Sequence, residues 1–180
     1  ATCLDRSPLA GGGGCRPCEC RDGVLKSCRL AGASNAIFID LADSGIRSVD
    51  PEAFHEVSQS AMAGNLDDNP LEALPPGVFD ELDVLQVLYL SRTGLTDLPS
   101  FAKTKHLIQV SIDGTTELAL LPADAFAGAK RLRFVFVTNN QNLALDVDAF
   151  RRNKELEAVW VGGSPNATCG NLPNHAASAA

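Results

Sequence analysis

The chain has 180 residues, 45% of them apolar and 21% charged, and a formal net charge of −7. That length fits one domain with its own core, and the composition excludes a disordered chain. Apolar runs of only a few residues exclude a bilayer-spanning helix, and the acidic balance argues against a partner held by its phosphate backbone.

Residues 1–14 form a leader of mostly small residues that closes on Gly11 to Gly14. The glycine run reads as a flexible linker. It lacks the Gly-Lys-Ser/Thr step and the preceding strand of a phosphate loop. Next comes "CRPCECRDGVLKSC", with four of the six cysteines in the spacing C-x2-C-x-C-x7-C. A segment this short cannot hold itself by burial, and closing each loop covalently contributes about 2–4 kcal/mol at most. Two chemistries are open to four cysteines: a pair of disulfides, or one zinc ion, for which the close C-x-C step is poorly shaped. Val24 and Leu25 are expected to form a short strand that starts the main sheet.

From there a unit recurs, clearest in "DNPLEALPPGVFDELDVLQVLYLSRTGLTDLP". Apolar residues run L-x-x-L-x-L, a turn follows, then L-x-x-L and P-x-x-x-F-x-x-L. Phe54, Phe79, Phe101, Phe126 and Phe150 mark the same place in successive units, 25, 22, 25 and 24 residues apart. A unit of that length cannot bury its own apolar face and must stack on its neighbours, which makes a solenoid. The units begin at Ala36, Ala61, Leu85, Leu107, Leu132 and Leu156. Alternation within each predicts a strand whose inward pairs are Ile39/Leu41, Gly64/Leu66, Leu88/Leu90, Val110/Ile112, Val135/Val137 and Val159/Val161. Ile46/Val49, Leu71/Leu74, Leu95/Leu98 and Leu118/Leu121 are expected to turn inward from the return segments. The five phenylalanines are expected to form a spine beneath the convex surface.

The repeat and the cysteine spacing together resemble the extracellular leucine-rich repeat family, especially its Toll-like and variable-lymphocyte-receptor branch, over residues 15 to 165. The resemblance implies an α/β solenoid: a horseshoe with a parallel concave sheet, about six repeats and a disulfide-bonded N-terminal cap. Its parts are the leader at 1–14, the cap at 15–34, the repeats at 35–165 and a tail at 166–180. The family pairing, first cysteine to third and second to fourth, implies Cys15–Cys20 and Cys18–Cys28. The turn asparagine of the family stands at Asn69 and Asn140, while Ser44, Thr93, Thr116 and Ser164 take its place elsewhere and bond backbone amides less completely. The second repeat is short of apolar bulk, with Ala61 and Gly64 where leucines are expected. The repeat holding Phe101 is shortened.

The C-terminal "SPNATC" is similar to the entry to a cysteine-rich C-terminal cap, but carries only Cys169. The last repeat then needs cover from the tail, another domain or a partner. Six strands spaced at about 4.8 Å put the two ends roughly 25 Å apart, too far for a disulfide from Cys169 to the N-terminal cap. Cys3 has no local partner, which leaves intermolecular or long-leader pairing open. Asn166-Ala167-Thr168 is a glycosylation sequon, so Asn166 is a candidate acceptor. With the cysteine cap it points to an oxidising compartment: secreted, cell-surface or lumenal.

No catalytic constellation is visible. His55, His106 and His175 lie in return segments or the tail, "GGSPN" lacks the last glycine of a nucleophile elbow, and no metal or dinucleotide motif occurs, so no cofactor is expected. The outward strand positions carry more information: Phe38, Asp40 and Ala42; Ala63, Asn65 and Asp67; Val87, Tyr89 and Ser91; Gln109, Ser111 and Asp113; Phe134, Phe136 and Thr138; Ala158, Trp160 and Gly162. The chain's single Tyr and single Trp fall here with Phe134 and Phe136. Exposed aromatics on a sheet mark an interaction surface, although Trp160 on the last strand also suits a lid over the end of the sheet. Asp40, Asn65 and Asp67, with Asp43 and Asp68 beside them, form an acidic stretch opposite, fit for a basic partner, for calcium or for solvent alone. The expected function is non-enzymatic recognition or adhesion of a protein partner through the concave sheet. A structural lumenal or extracellular subunit of a larger assembly is the alternative, and a carbohydrate-binding module a further one.

Overall fold

The computed structural model describes residues 18–29, 37–167 and 177–179. Cys3, Gly11 to Gly14, Cys15, Ala36, Thr168, Cys169 and His175 lie outside them. The described strands are, in chain order, β1 (Cys18–Arg21), β2 (Val24–Cys28), β3 (Ile37–Asp40), β4 (Ser48–Val49), β5 (Ala61–Asn65) and β6 (Val87–Tyr89). They continue as β7 (Gln109–Ser111), β8 (Leu120–Leu121), β9 (Phe134–Phe136), β10 (Ala144–Leu145), β11 (Ala158–Trp160) and β12 (Ala177–Ala179).

One strand per repeat stacks into a parallel sheet in the order β3-β5-β6-β7-β9-β11, and β12 adds a seventh strand beyond β11. The six expected strands are all present, and their inward residues align as one row, Ile39, Gly64, Leu88, Val110, Val135 and Val159. The fold is a parallel-sheet solenoid of about five turns. Its return segments are turns, two-residue strands (β4, β8 and β10) and one 3-10 turn at His55–Val57, with no α-helix among the described residues. At each strand end the chain reverses through a left-handed residue, at Asp43, Asp68, Arg92, Gly114, Asn139 and Gly163.

The core is a single slab between the sheet and the convex return segments. Its axis is the phenylalanine spine. Adjacent rings of Phe54, Phe79, Phe101, Phe126 and Phe150 sit 5.8, 6.4, 5.1 and 5.7 Å apart, and all five are buried. The turn residues pack as tightly in backbone terms: a Cβ on Gly128 would stand 2.1 Å from the Ala102 carbonyl oxygen.

A second polar framework runs through the turns. Asn69, buried, accepts bonds at Oδ1 from the Ser44 and Ile46 amides at 3.1 and 2.9 Å. Its Nδ2 donates to the Leu41, Leu66 and Asp67 carbonyls at 2.9, 2.8 and 3.1 Å. Asn140 does the same work with fewer bonds, accepting from Thr115 N and donating to Ile112 O. Between them Thr93 and Thr115 both donate to the Leu90 carbonyl, and Ser164 donates to Val137 O. The expected Thr116 is a correction. It is exposed, and Thr115, three residues past Ile112 as Asn69 is past Leu66, occupies the buried position.

The N-terminal cap also departs from expectation. Val24 and Leu25 lie in a strand, but β2 pairs with β1 and with β4 in a separate three-stranded sheet rather than starting the long one. The reason is local: Asp22 and Gly23 both take positive φ, 52° and 78°, and fold β1 back on β2 as a tight hairpin. Cys18 and Cys28, opposite each other in that hairpin, form the implied disulfide. Cys20 is also disulfide-bonded; the implied partner Cys15 lies outside the described residues. With Cys18 and Cys28 bonded to each other, the four-thiolate zinc alternative is overturned.

The missing bulk of the second repeat leaves a mark. A void of about 10 Å³ opens between Ile39, Phe54, Ala61, Gly64 and Leu88. A Cβ built on Gly64 meets only Leu88 Cδ1, at an ordinary 3.5 Å. Gly64→Ala is therefore expected to stabilise the chain by about 0.4–1 kcal/mol, mostly by restricting the unfolded state. A rise in the denaturant midpoint at unchanged slope is the expected reading, and a fall would mean the local backbone has no room to give.

Candidate functional site

Because the sheet is parallel and in register, equivalent outward residues of successive repeats stand side by side. The middle row reads Asp40, Asn65, Tyr89, Ser111, Phe136, Trp160. The flanking row toward the strand starts reads Phe38, Ala63, Val87, Gln109, Phe134, Ala158. Register places the aromatic side chains of β9 and β11 beside one another.

Phe136 and Trp160 stack at 4.2 Å between ring centroids with planes 4° apart. Phe134 leans on the same indole at 6.2 Å and 47°. Arg133, which precedes β9, lays its guanidinium 5.2 Å from the Phe134 centroid and pairs with Glu157. All three aromatic residues are half-buried, so the cluster is supported below and open above. The Phe136 and Trp160 rings thus cover one face of each other across adjacent strands. Arg133 was not foreseen as part of this group. Its 24-residue spacing to Glu157 was the available signal.

The structure does not bring Tyr89 into this cluster. The strand carrying Ser111 separates it from Phe136, and Tyr89 is half-buried on its own. Phe38, at the far end of the face, is 52% exposed. Trp160 is not on the edge strand, because β12 pairs in register beyond it.

The acidic stretch is knit into the fold. Asp40 Oδ1 accepts from Asn65 Nδ2 at 3.1 Å, Asn65 Oδ1 accepts from the Asp67 amide, and Asp67 Oδ1 accepts from the Ser91 amide at 2.6 Å. The ladder continues through a Ser91–Ser111 hydroxyl pair to Asp113, which takes two bonds from Thr138. Ser91 and Ser111 point outward yet are buried under these partners. Burial raises the Asp67 carboxyl above its ordinary range, while the Ser91 amide and Arg92 pull it back. Asp68, left-handed at φ 59°, holds Arg92 through two bonds of 2.6 and 2.7 Å. Among the described residues no group of three or more His, Cys, Asp or Glu is placed to hold a metal ion. Asn166 is exposed, and its Nδ2 donates to the Gln141 carbonyl at 3.3 Å.

No protein-family model and no curated protein matches the chain. Solved structures do, 172 chains in all. One is the crystal structure of the APL1 leucine-rich repeat domain, at 19% identity and a TM-score of 0.60 over 77% of this chain. The fold is that of a leucine-rich repeat solenoid. The chain spans about half the length of that neighbour, 46%. No helix among the described residues is long and apolar enough to cross a membrane.

Proposed function

We propose that this leucine-rich repeat chain is a non-enzymatic recognition or adhesion module, secreted, cell-surface or lumenal, that binds a protein through its concave sheet. One observation carries the reading: Phe134, Phe136 and Trp160 form a half-buried aromatic cluster on the concave face. Large, rigid aromatics beside an arginine are the usual anchors of protein interfaces, since they bury much area with little loss of side-chain freedom. Tyr89 forms a second contact point two strands away. Asp40, Asn65 and Asp67 set charge and register at the far end. A glycan at Asn166, and a Cys15–Cys20 link in the cap, fit the same extracellular reading.

The experiment is crosslinking in the native source to capture the partner, then affinity measurement with single variants. Trp160→Ala and Phe136→Ala are expected to weaken binding by about 2 kcal/mol or more. Asp40→Asn should act mainly on association rate and its salt dependence. If Trp160→Ala lowers thermal stability and leaves affinity intact, the tryptophan closes the end of the solenoid and the interface lies elsewhere. A partner recovered only as fixed stoichiometric complex would favour the assembly-subunit reading.

A further inference from the structure

The turns that follow the spine phenylalanines form a rim on the solenoid with a sharp division of charge. The first two turns, 55–59 and 80–84, contain Glu56, Asp80, Glu81 and Asp83 and no lysine or arginine. The last three, 102–106, 127–131 and 151–155, contain seven lysines and arginines against one acid, Glu155. This happens within a chain whose net charge is −7.

The placement is fixed by the repeat. Phe101, Thr104 and Leu107 are buried, as are Phe126, Ala129 and Leu132, and then Phe150, Asn153 and Leu156. Burying every third residue leaves the intervening ones exposed, so Lys105, Lys130 and Lys154, each four residues after its phenylalanine, all point to solvent. Their phenylalanines stack at 5.1 and 5.7 Å, so the three turns that carry the lysines are neighbours. None of the three, nor exposed Arg131 beside Lys130, has an ion-pair partner among the described residues. Arg151 and Arg152 are clasped on Asp124 and held upright rather than free. With Lys130 and Lys154 they border a shallow depression of about 510 Å³.

We propose that this rim binds a linear sulfated polysaccharide, with Lys105, Lys130 and Lys154 as the row of cations that tracks its charges. The depression is lined by cationic side chains alone and offers no aromatic or apolar anchor, which is what a protein partner would need. A row of exposed, strongly hydrated ammonium groups on successive turns instead suits a polymer with charges strung along its length, bound mainly by counterion release. The Cys18–Cys28 disulfide is the chemistry of oxidising compartments, where sulfated polysaccharides rather than nucleic acids are the abundant polyanions.

The test is binding to heparin, measured between 50 and 300 mM salt, with the double variant Lys130→Ala/Lys154→Ala beside the parent chain. Hyaluronan, polyglutamate and single-stranded DNA serve as competing polyanions. The expected result is heparin binding that weakens at least tenfold in the double variant, with a salt slope shallower by roughly one unit per lysine removed. Trp160→Ala should bind heparin as the parent does, which separates this surface from the aromatic one. Equal competition by polyglutamate or DNA would mean undirected ion exchange and overturn the proposal. So would no binding at physiological salt, or a double variant that binds unchanged. Salt-sensitive dimerisation lost in the same variant, without heparin binding, would assign the rim to the acidic turns of a second copy.

Discussion

Phe126→Ala is expected to cost about 3–5 kcal/mol, as a large-to-small change in the core. Phe126 is 0% exposed and touches the ring before it at 5.1 Å and the ring after it at 5.7 Å. Removing it interrupts the spine at its tightest joint, so two interfaces weaken at once. In a solenoid stability is carried by neighbouring units, and the loss need not appear as global unfolding. Hydrogen exchange should show faster opening across residues 101–150, with the disulfide-tied hairpin at the N-terminus little changed. A cost of only a few tenths of a kcal/mol would be incompatible with a packed spine.

The second large effect is expected at Asn69. Its side chain joins five backbone groups, two amides and three carbonyls, in two consecutive repeats. Asn69→Ala leaves the Ser44 and Ile46 amides without that acceptor inside the protein, at a cost of roughly 3 kcal/mol or more. Thr93→Ala, at the equivalent place one repeat on, removes a hydroxyl that donates to a single well-formed carbonyl bond and should cost about 1 kcal/mol. Urea unfolding of the two variants side by side decides the matter. Equal losses would show that the asparagine position contributes nothing beyond what any small polar residue supplies.

Much of this fold is readable in the sequence because its strongest signals are periodic and apolar. The strand pairs and the phenylalanines recur at the repeat length, and burial enforces both. The features that were missed lack such enforcement. β12 is written Ala-Ser-Ala, with no pattern of its own, and pairs through backbone bonds to the neighbouring strand. Thr115 and Thr116 are chemically alike, and only the position three residues past Ile112 decides which is buried. Val24 and Leu25 looked like any first strand, whereas the Asp22-Gly23 turn that folds them into the cap is a two-residue signal. On the concave face, alternation correctly turned Ser91, Ser111 and Asp113 outward. It said nothing of the hydrogen bonds that then tie them to one another. Phe134, Phe136 and Trp160 were legible as one group because register alone makes them neighbours. Tyr89 shares their row, but an intervening strand keeps it apart.

The close approach of Gly128 to the Ala102 carbonyl has a mechanical consequence. The two turns meet here, and on the same side a groove of about 330 Å³ lies open between Pro99 and Pro122. Contact on one flank and clearance on the other is the arrangement of a fulcrum and its gap. Elsewhere along the stack, flexing the horseshoe would have to squeeze close-packed side chains, which resist compression. Here it needs only to narrow an empty slot. The stiffness of the horseshoe is thus uneven along its length, softest between two neighbouring basic turns of its rim.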